Sequence, residues 1–313
     1  MPIPLRDVGD VGYTEAEAMS ELDRVIAEVH SAFELDRFAV VRRERTMCQM
    51  YAAAALAHCC QLARTVTRLH AEHDEIAARM VARGLFESWV VGAYLHYGGF
   101  EALTTLWDDF HHEVKVQADE ADRHDKALLR NRADADRRNR KIARDNAAKQ
   151  RWNEANPDLP PRALTDLVPP PPGVLIESDW SERMELFAAG TPKKLPLKTM
   201  IDKLRSLTRS AGDEQTFEAA YMIMFRGLST VGAHTNIRVL DWYLRDRDGR
   251  ASFVRVGPQA EPPSSLAEGN VLSALLLVAH LAQLVLGARG CDHPMADEVM
   301  NRFHDKARAV GGR

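Results

Sequence analysis

Arg83 and Glu87 stand four residues apart in "MVARGLFESWVVGAYLHY", and Arg226, Ser229 and His234 follow much later in "FRGLSTVGAHTNIR". These are the types that proton transfer and anion binding need: an imidazole titrating near neutrality, permanently charged guanidiniums, a carboxylate and a hydroxyl. On a helix, Arg226, Thr230, His234 and Arg238 fall at four-residue steps and drift slowly along one side. Gly227, Gly232 and Ala233 would let another backbone approach, and Gly84, Ser88 and Gly92 form a small-residue ridge on the earlier segment. If the two ridges meet, Glu87 faces His234, Ser229 or one of the arginines. Two readings stay open. In one, the cluster is a satisfied polar network that fixes helix register. In the other it is a site, with His234 as general base or acid and Arg226 or Arg83 as a clamp on a phosphate or carboxylate. Ser229 lacks the strand–serine–turn elbow of a hydrolase nucleophile.

A second pattern is electrostatic. Arg123, Arg130, Arg137, Arg144 and Arg151 recur every seven residues, with Leu128, Ala135 and Ile142 at the same period on the opposite side of the helix. Seven residues fall about 20° short of two turns, so the arginines make one slowly winding stripe. At about 1.5 Å per residue it is about 42 Å long. Residues 123–151 hold eleven Lys/Arg against four Asp/Glu, a local excess in a chain whose net charge is −4. One reading is a solvated face backing a thin seam against a hairpin or a partner's helix. The other is a phosphate track on RNA or DNA, although Trp152 is the lone aromatic available for base stacking.

Three segments in order, "MVARGLFESWVVGAYLHY", "LPLKTMIDKLR" and "YMIMFRGLSTVGAHTNIRVLDWYL", resemble a bacterial family of unknown function, the DUF5677 type. The matching residues are Arg83, Glu87, Tyr221, Leu228, Ser229 and His234, and residues 120–175 correspond to its variable charged insertion. The resemblance implies a helical fold. The chain is also similar to the HEPN group, whose members include metal-independent ribonucleases and nucleotide-binding partners of defence and toxin systems. Their signature is an arginine followed a few residues on by a histidine; here seven residues, beginning with Gly227, separate Arg226 from His234. That likeness implies a protein that binds or cleaves RNA, with His234 taking a proton from a ribose 2′-hydroxyl while an arginine steadies the phosphate. The alternative is a non-catalytic scaffold or protein-interaction module.

The elements that must position these residues are nearly all helices. "TEAEAMSELDRVIAEVHSAF" carries Met19, Leu22, Ile26 and Val29 at helical spacing behind a Thr14/Glu17 capping box. Helices are predicted over 38–70 and 74–97, the latter stopping at Gly98–Gly99. No proline or glycine interrupts 100–156, which predicts a helix that projects, bends back or packs on a partner chain. The proline-rich "NPDLPPRALTDLVPPPPG" predicts a stiff, extended connector. Helices follow at "LPLKTMIDKLRSLTRS", from Glu214, over 266–288 and at the C-terminal end, with a short hairpin around Asp248–Gly249. The predicted fold is all-α: a helical bundle with a long charged helical insertion and at most one small β-hairpin. Residues 1–120 and 176–313 build one bundle, and 121–175 form the insertion.

With 45% hydrophobic and 27% charged residues over 313 positions, the chain can bury a sizeable core and is not a disordered polymer. A pI near 6.3 excludes nucleic-acid binding by the whole surface and leaves it to a local patch. Residues 271–287 are apolar but contain His280 and Gln283 and fall short of the ~20 residues that cross a bilayer. A core helix and no membrane contact are expected. Cys48, Cys59, Cys60 and Cys291 lack metal or redox spacing, and the N-terminal residues carry no secretory pattern, so a cytoplasmic location is expected. Asp108 and His112, beside His111 and Glu113, have metal-compatible spacing without a second cluster, and no phosphate-loop glycine pattern occurs, so neither metal nor cofactor is expected. Expected partners are RNA on the basic stripe, a second copy of the chain, and a protein on the long helix.

Overall fold

The computed structural model describes residues 13–34, 44–173, 175, 193–209, 214–221, 244–247, 251–254 and 264–311. The chain divides into two compact units, Met1–Thr105 with Leu195–Arg313, and Leu106–Lys194. Apart from one two-stranded ribbon, the described secondary structure is helical, and the fold is all-α.

The first unit is built on α1 (Glu15–Phe33), α2 (Glu44–Ala71), the beginning of α3 (Glu75–Ala155), α4 (Leu197–Thr208), α5 (Glu214–Ala220), α6 (Ser264–Ala288) and α7 (Pro294–Gly311). The capping box forms: Glu17 N–H donates to Thr14 Oγ1 at 3.3 Å, and Thr14 N–H donates back to the Glu17 carboxylate at 2.7 Å. Behind it, α1 buries Ala18, Leu22, Val25, Ile26 and Val29, so Ala18 and Val25 take core positions while Met19 sits at the margin.

α6 packs against α1, α2 and α7 and is the centre of this unit. Val271, Ala274, Leu275, Val278, Ala279, Leu281, Ala282 and Leu286 are completely or almost completely enclosed. Each large side chain removed from water stabilises the fold by about 1.5–3 kcal/mol before entropy is counted. Gly269–Ala288 is long and apolar enough to cross a membrane by length and composition, and 61% of its most apolar window is buried here against its neighbours.

Gly92 on α3 explains how close α6 comes. A Cβ there would lie 2.8 Å from Leu281 Cδ2 and 3.2 Å from Ala55 Cβ. The ridge of small residues on α3 thus receives α6 and α2; whether it also meets 225–238 lies outside the described residues. Glu28 of α1 accepts the backbone N–H groups of Met295 and Ala296 at 2.9 and 3.1 Å, satisfying the first turn of α7. The stop foreseen at Gly98–Gly99 is a single non-helical residue, Gly99 (φ 57°, ψ −139°), after which α3 resumes. β1 (Leu244–Arg247) pairs antiparallel with β2 (Ala251–Val254), Leu244 opposite Val254 and Arg247 opposite Ala251.

The second unit consists of α3 from Leu106 onward and the extended chain that follows it. The buried or half-buried positions along α3 include His111, Val114, Ala118, Ala121, Asp125, Leu128, Arg132, Ala135, Asn139, Ile142, Asn146, Lys149 and Asn153, at alternating steps of three and four, with His112, Asp134 and Trp152 half-buried beside them. That is a heptad seam. No second helix covers it among the described residues. From Leu128 to Asn153 the proline-rich segment does.

Candidate functional site

Asn139, Asn146 and Asn153 fall seven residues apart on the seam, and each side-chain amide makes a two-point contact with the extended segment. Asn153 Nδ2 donates to the Arg162 carbonyl at 3.1 Å, and its Oδ1 accepts the Arg162 N–H at 2.8 Å. Asn146 does the same with Thr165, at 2.8 and 2.9 Å, and Asn139 with Val168, at 2.9 and 2.8 Å. The partners lie three residues apart, the repeat of a polyproline II helix, which makes no hydrogen bonds of its own and leaves every backbone group free to pair. Two helical turns advance about 10.5 Å and three polyproline residues about 9.3 Å, close enough for successive rungs to align.

Beyond Val168 the ladder must change chemistry. Pro169–Pro172 offer carbonyls but no N–H, so an asparagine there would find no donor. The next seam position is Arg132, a pure donor, and its Nη2 reaches the Gly173 carbonyl at 2.7 Å. Gly173 has φ 144°, and a Cβ on it would lie 3.0 Å from Leu128 Cδ1, so the leucine seals the seam over a residue that only glycine suits. At the other end the Arg162 guanidinium lies 4.0 Å from the Trp152 ring centroid. Lys193 N–H donates to the Asp108 carbonyl at 3.3 Å.

With the seam covered, Arg123, Arg130, Arg137, Arg144 and Arg151 all lie exposed on the rest of the helix. Arg137 pairs with Asp134. Arg123 and Arg151 each donate Nε to a carbonyl one turn back, Asp119 and Ala147, which leaves four N–H groups on each guanidinium.

Of the other predicted residues, Arg83 and Glu87 pair with each other, Nε to Oε1 at 3.1 Å, on a half-exposed face of α3, with side chains 29% and 46% exposed. Ser88 donates instead to the Gly84 carbonyl at 2.9 Å. Arg226, Ser229 and His234 lie outside the described residues, as do Leu228, Thr230 and Arg238. Tyr221 lies at the end of α5.

The buried charge of the first unit gathers elsewhere. His70 at the end of α2 lies between two carboxylates: Nδ1 is 2.5 Å from Glu75 Oε1 and Nε2 is 2.5 Å from Glu15 Oε1. Asn270 of α6 donates to the second Glu75 oxygen at 3.1 Å. Both ring nitrogens face acceptors, so the imidazolium is the form that suits the geometry. Burial pulls the ring's pKa down, but the bonds and charges of Glu15 and Glu75 outweigh it and hold the ring above its ordinary value. The carboxylates approach opposite edges of the ring, and among the described residues no three metal-binding groups converge. This node joins α1, α2, α3 and α6, and with both nitrogens engaged it is a fastening rather than a reactive centre. Nearby, Trp89 donates Nε1 to His280 Nδ1 at 3.1 Å and stacks on Phe217, so His280 is a core histidine with a core partner.

Neither the node nor the ladder stands out by residue type. The ladder's signal is an asparagine period of seven beside a proline-rich segment with polar residues at three. Comparison with models of known families, with curated proteins and with solved structures finds no match to this chain.

Proposed function

We propose that this protein binds RNA along the exposed face of α3, with Arg123, Arg130, Arg137, Arg144 and Arg151 holding phosphates. The observation that carries the reading is the exposure of all five arginines, with Arg137 alone in an ion pair among the described residues. Asp119, Glu120, Asp134 and Glu154 stand three or four residues from four of the five, yet among the described residues Arg137 is the one of the five that is paired with a carboxylate. Phosphate contacts of this kind position a nucleic acid without reading its bases. The cleaving version of the reading assigns the chemistry to Arg83, Glu87, Arg226, Ser229 and His234, as in the HEPN-like resemblance.

Fluorescence anisotropy of a labelled RNA at low salt tests the binding. Arg130→Glu with Arg144→Glu is expected to weaken it by an order of magnitude or more, and an unchanged affinity would remove the stripe from the function. His234→Ala tests cleavage: activity lost at unchanged melting temperature supports the site, whereas a large melting drop assigns the residue to the core.

A second reading, a scaffold that joins protein subunits, is favoured by Leu129, Leu159, Leu164 and Leu167, four leucines at least half exposed on the second unit. Sedimentation of Leu164→Ser/Leu167→Ser distinguishes it. A dimer lost with RNA affinity retained places self-association on these leucines.

A further inference from the structure

We infer that the ligand of the arginine stripe is double-helical, gripped along its phosphate backbone without regard to sequence. The inference rests on the reading of the stripe as an RNA-binding surface and narrows what that surface takes.

Three observations carry it. First, proteins that hold single strands stack bases on aromatic rings within a basic groove. Between Glu113 and Ala155 the only phenylalanine, tyrosine or tryptophan is Trp152, and the Arg162 guanidinium sits 4.0 Å from its ring centroid. Among the described residues the stripe therefore offers charge without a stacking platform. Second, the arginines are exposed on a helix whose seam from Leu128 to Asn153 is covered by residues 162–173. A convex rod about 10–12 Å across cannot enclose a single strand, but it can lie against the grooves and phosphate ridges of a duplex.

Third, the charges are fixed in register. Five arginines at steps of about 10.5 Å cover about 42 Å, or roughly 15 base pairs of an A-form RNA duplex at about 2.8 Å each. The two-point rungs of Asn139, Asn146 and Asn153 fasten the helix to its cover over the half of this length that carries Arg144 and Arg151. A duplex, stiff over many times the length of the stripe, meets such an array with little further ordering. A single strand must be ordered nucleotide by nucleotide, without stacking to offset the entropy.

The test uses the full chain, a labelled RNA duplex of about 30 base pairs, twice the stripe's ~15, and each of its strands alone. The duplex is expected to bind at least about tenfold more tightly than either strand, and a second, unrelated duplex to bind within about twofold of the first. The logarithm of affinity should fall with the logarithm of salt with a slope of about −4 to −5, the value for five phosphates. Arg130→Gln and Arg144→Gln, both exposed and checked for unchanged helicity by circular dichroism, should each reduce that slope by about one. Equal or tighter binding of a single strand overturns the duplex inference and leaves RNA binding standing. Failure of every probe to bind at low salt overturns both, as does a slope that the two variants leave unchanged.

Discussion

His70 shows how a histidine can be decisive without being reactive. Its ring is held above its ordinary pKa, so the stabilisation it supplies is complete below the unfolded value of about 6.5 and is lost as pH rises through the folded pKa. His70→Gln is expected to cost about 1.5–3 kcal/mol near pH 6, the range for hydrogen bonds to charged groups, and less as the pH is raised towards 9. Thermal melts across that range check it; a deficit independent of pH would mean that packing, not charge, is what the ring contributes. The cysteines make the complementary case. All four thiols are buried, and burial pushes Cys60 up to about 12. None should react with a thiol-specific disulfide reagent in the native protein on the timescale at which all four react in denaturant.

The elements differ in how plainly the residues announce them. The capping box of α1, the central α6 and the break at Gly99 follow from signals that act within a few residues: a hydroxyl three places from a glutamate, an unbroken apolar run, a paired glycine. What covers the seam of α3 does not. Arg123 to Arg151 and Leu128 to Ile142 reveal a helix with one apolar and one basic side, but that pattern serves a second helix, a partner chain or an extended strand equally well. The difference lies in Asn139, Asn146 and Asn153 pairing with residues 162, 165 and 168, a relation between two periods that no single window contains. Asn146→Ala is expected to cost about 1–3 kcal/mol for its two bonds and to expose the Thr165 amide to exchange. Retained protection at Thr165 would show that the rung is not what holds the strand. Gly92→Val places methyl groups where Leu281 already lies within 3 Å of a bare Cβ, and should lower stability by about 1–3 kcal/mol in urea unfolding.

Across the molecule the two units rest on different physics. The first has a continuous apolar core from Leu22 to Met300; the second has a row of small contacts, Val114, Ala121, Leu128 and Ala135, and otherwise depends on amide rungs. Hydrogen exchange of the intact chain should find the 106–173 amides opening at lower free energy than those of α6, and a single shared opening energy would contradict this division. Arg226, Ser229 and His234 form a pattern of residue types in the sequence and lie outside the described residues, while Arg83 and Glu87 pair with each other on their own helix, as four-residue spacing permits. The rungs also set a rule for growth. Heptads and triplets differ by about 1.2 Å per repeat, so phase slips gradually and a few rungs can share it, whereas many could not without the strand stretching or winding around its support. Lengthening this arm therefore comes in matched parcels, seven residues in the helix with three in the strand. A parcel added to only one side would slide the later asparagines past their backbone mates and leave an unmated amide at every tooth of the gear.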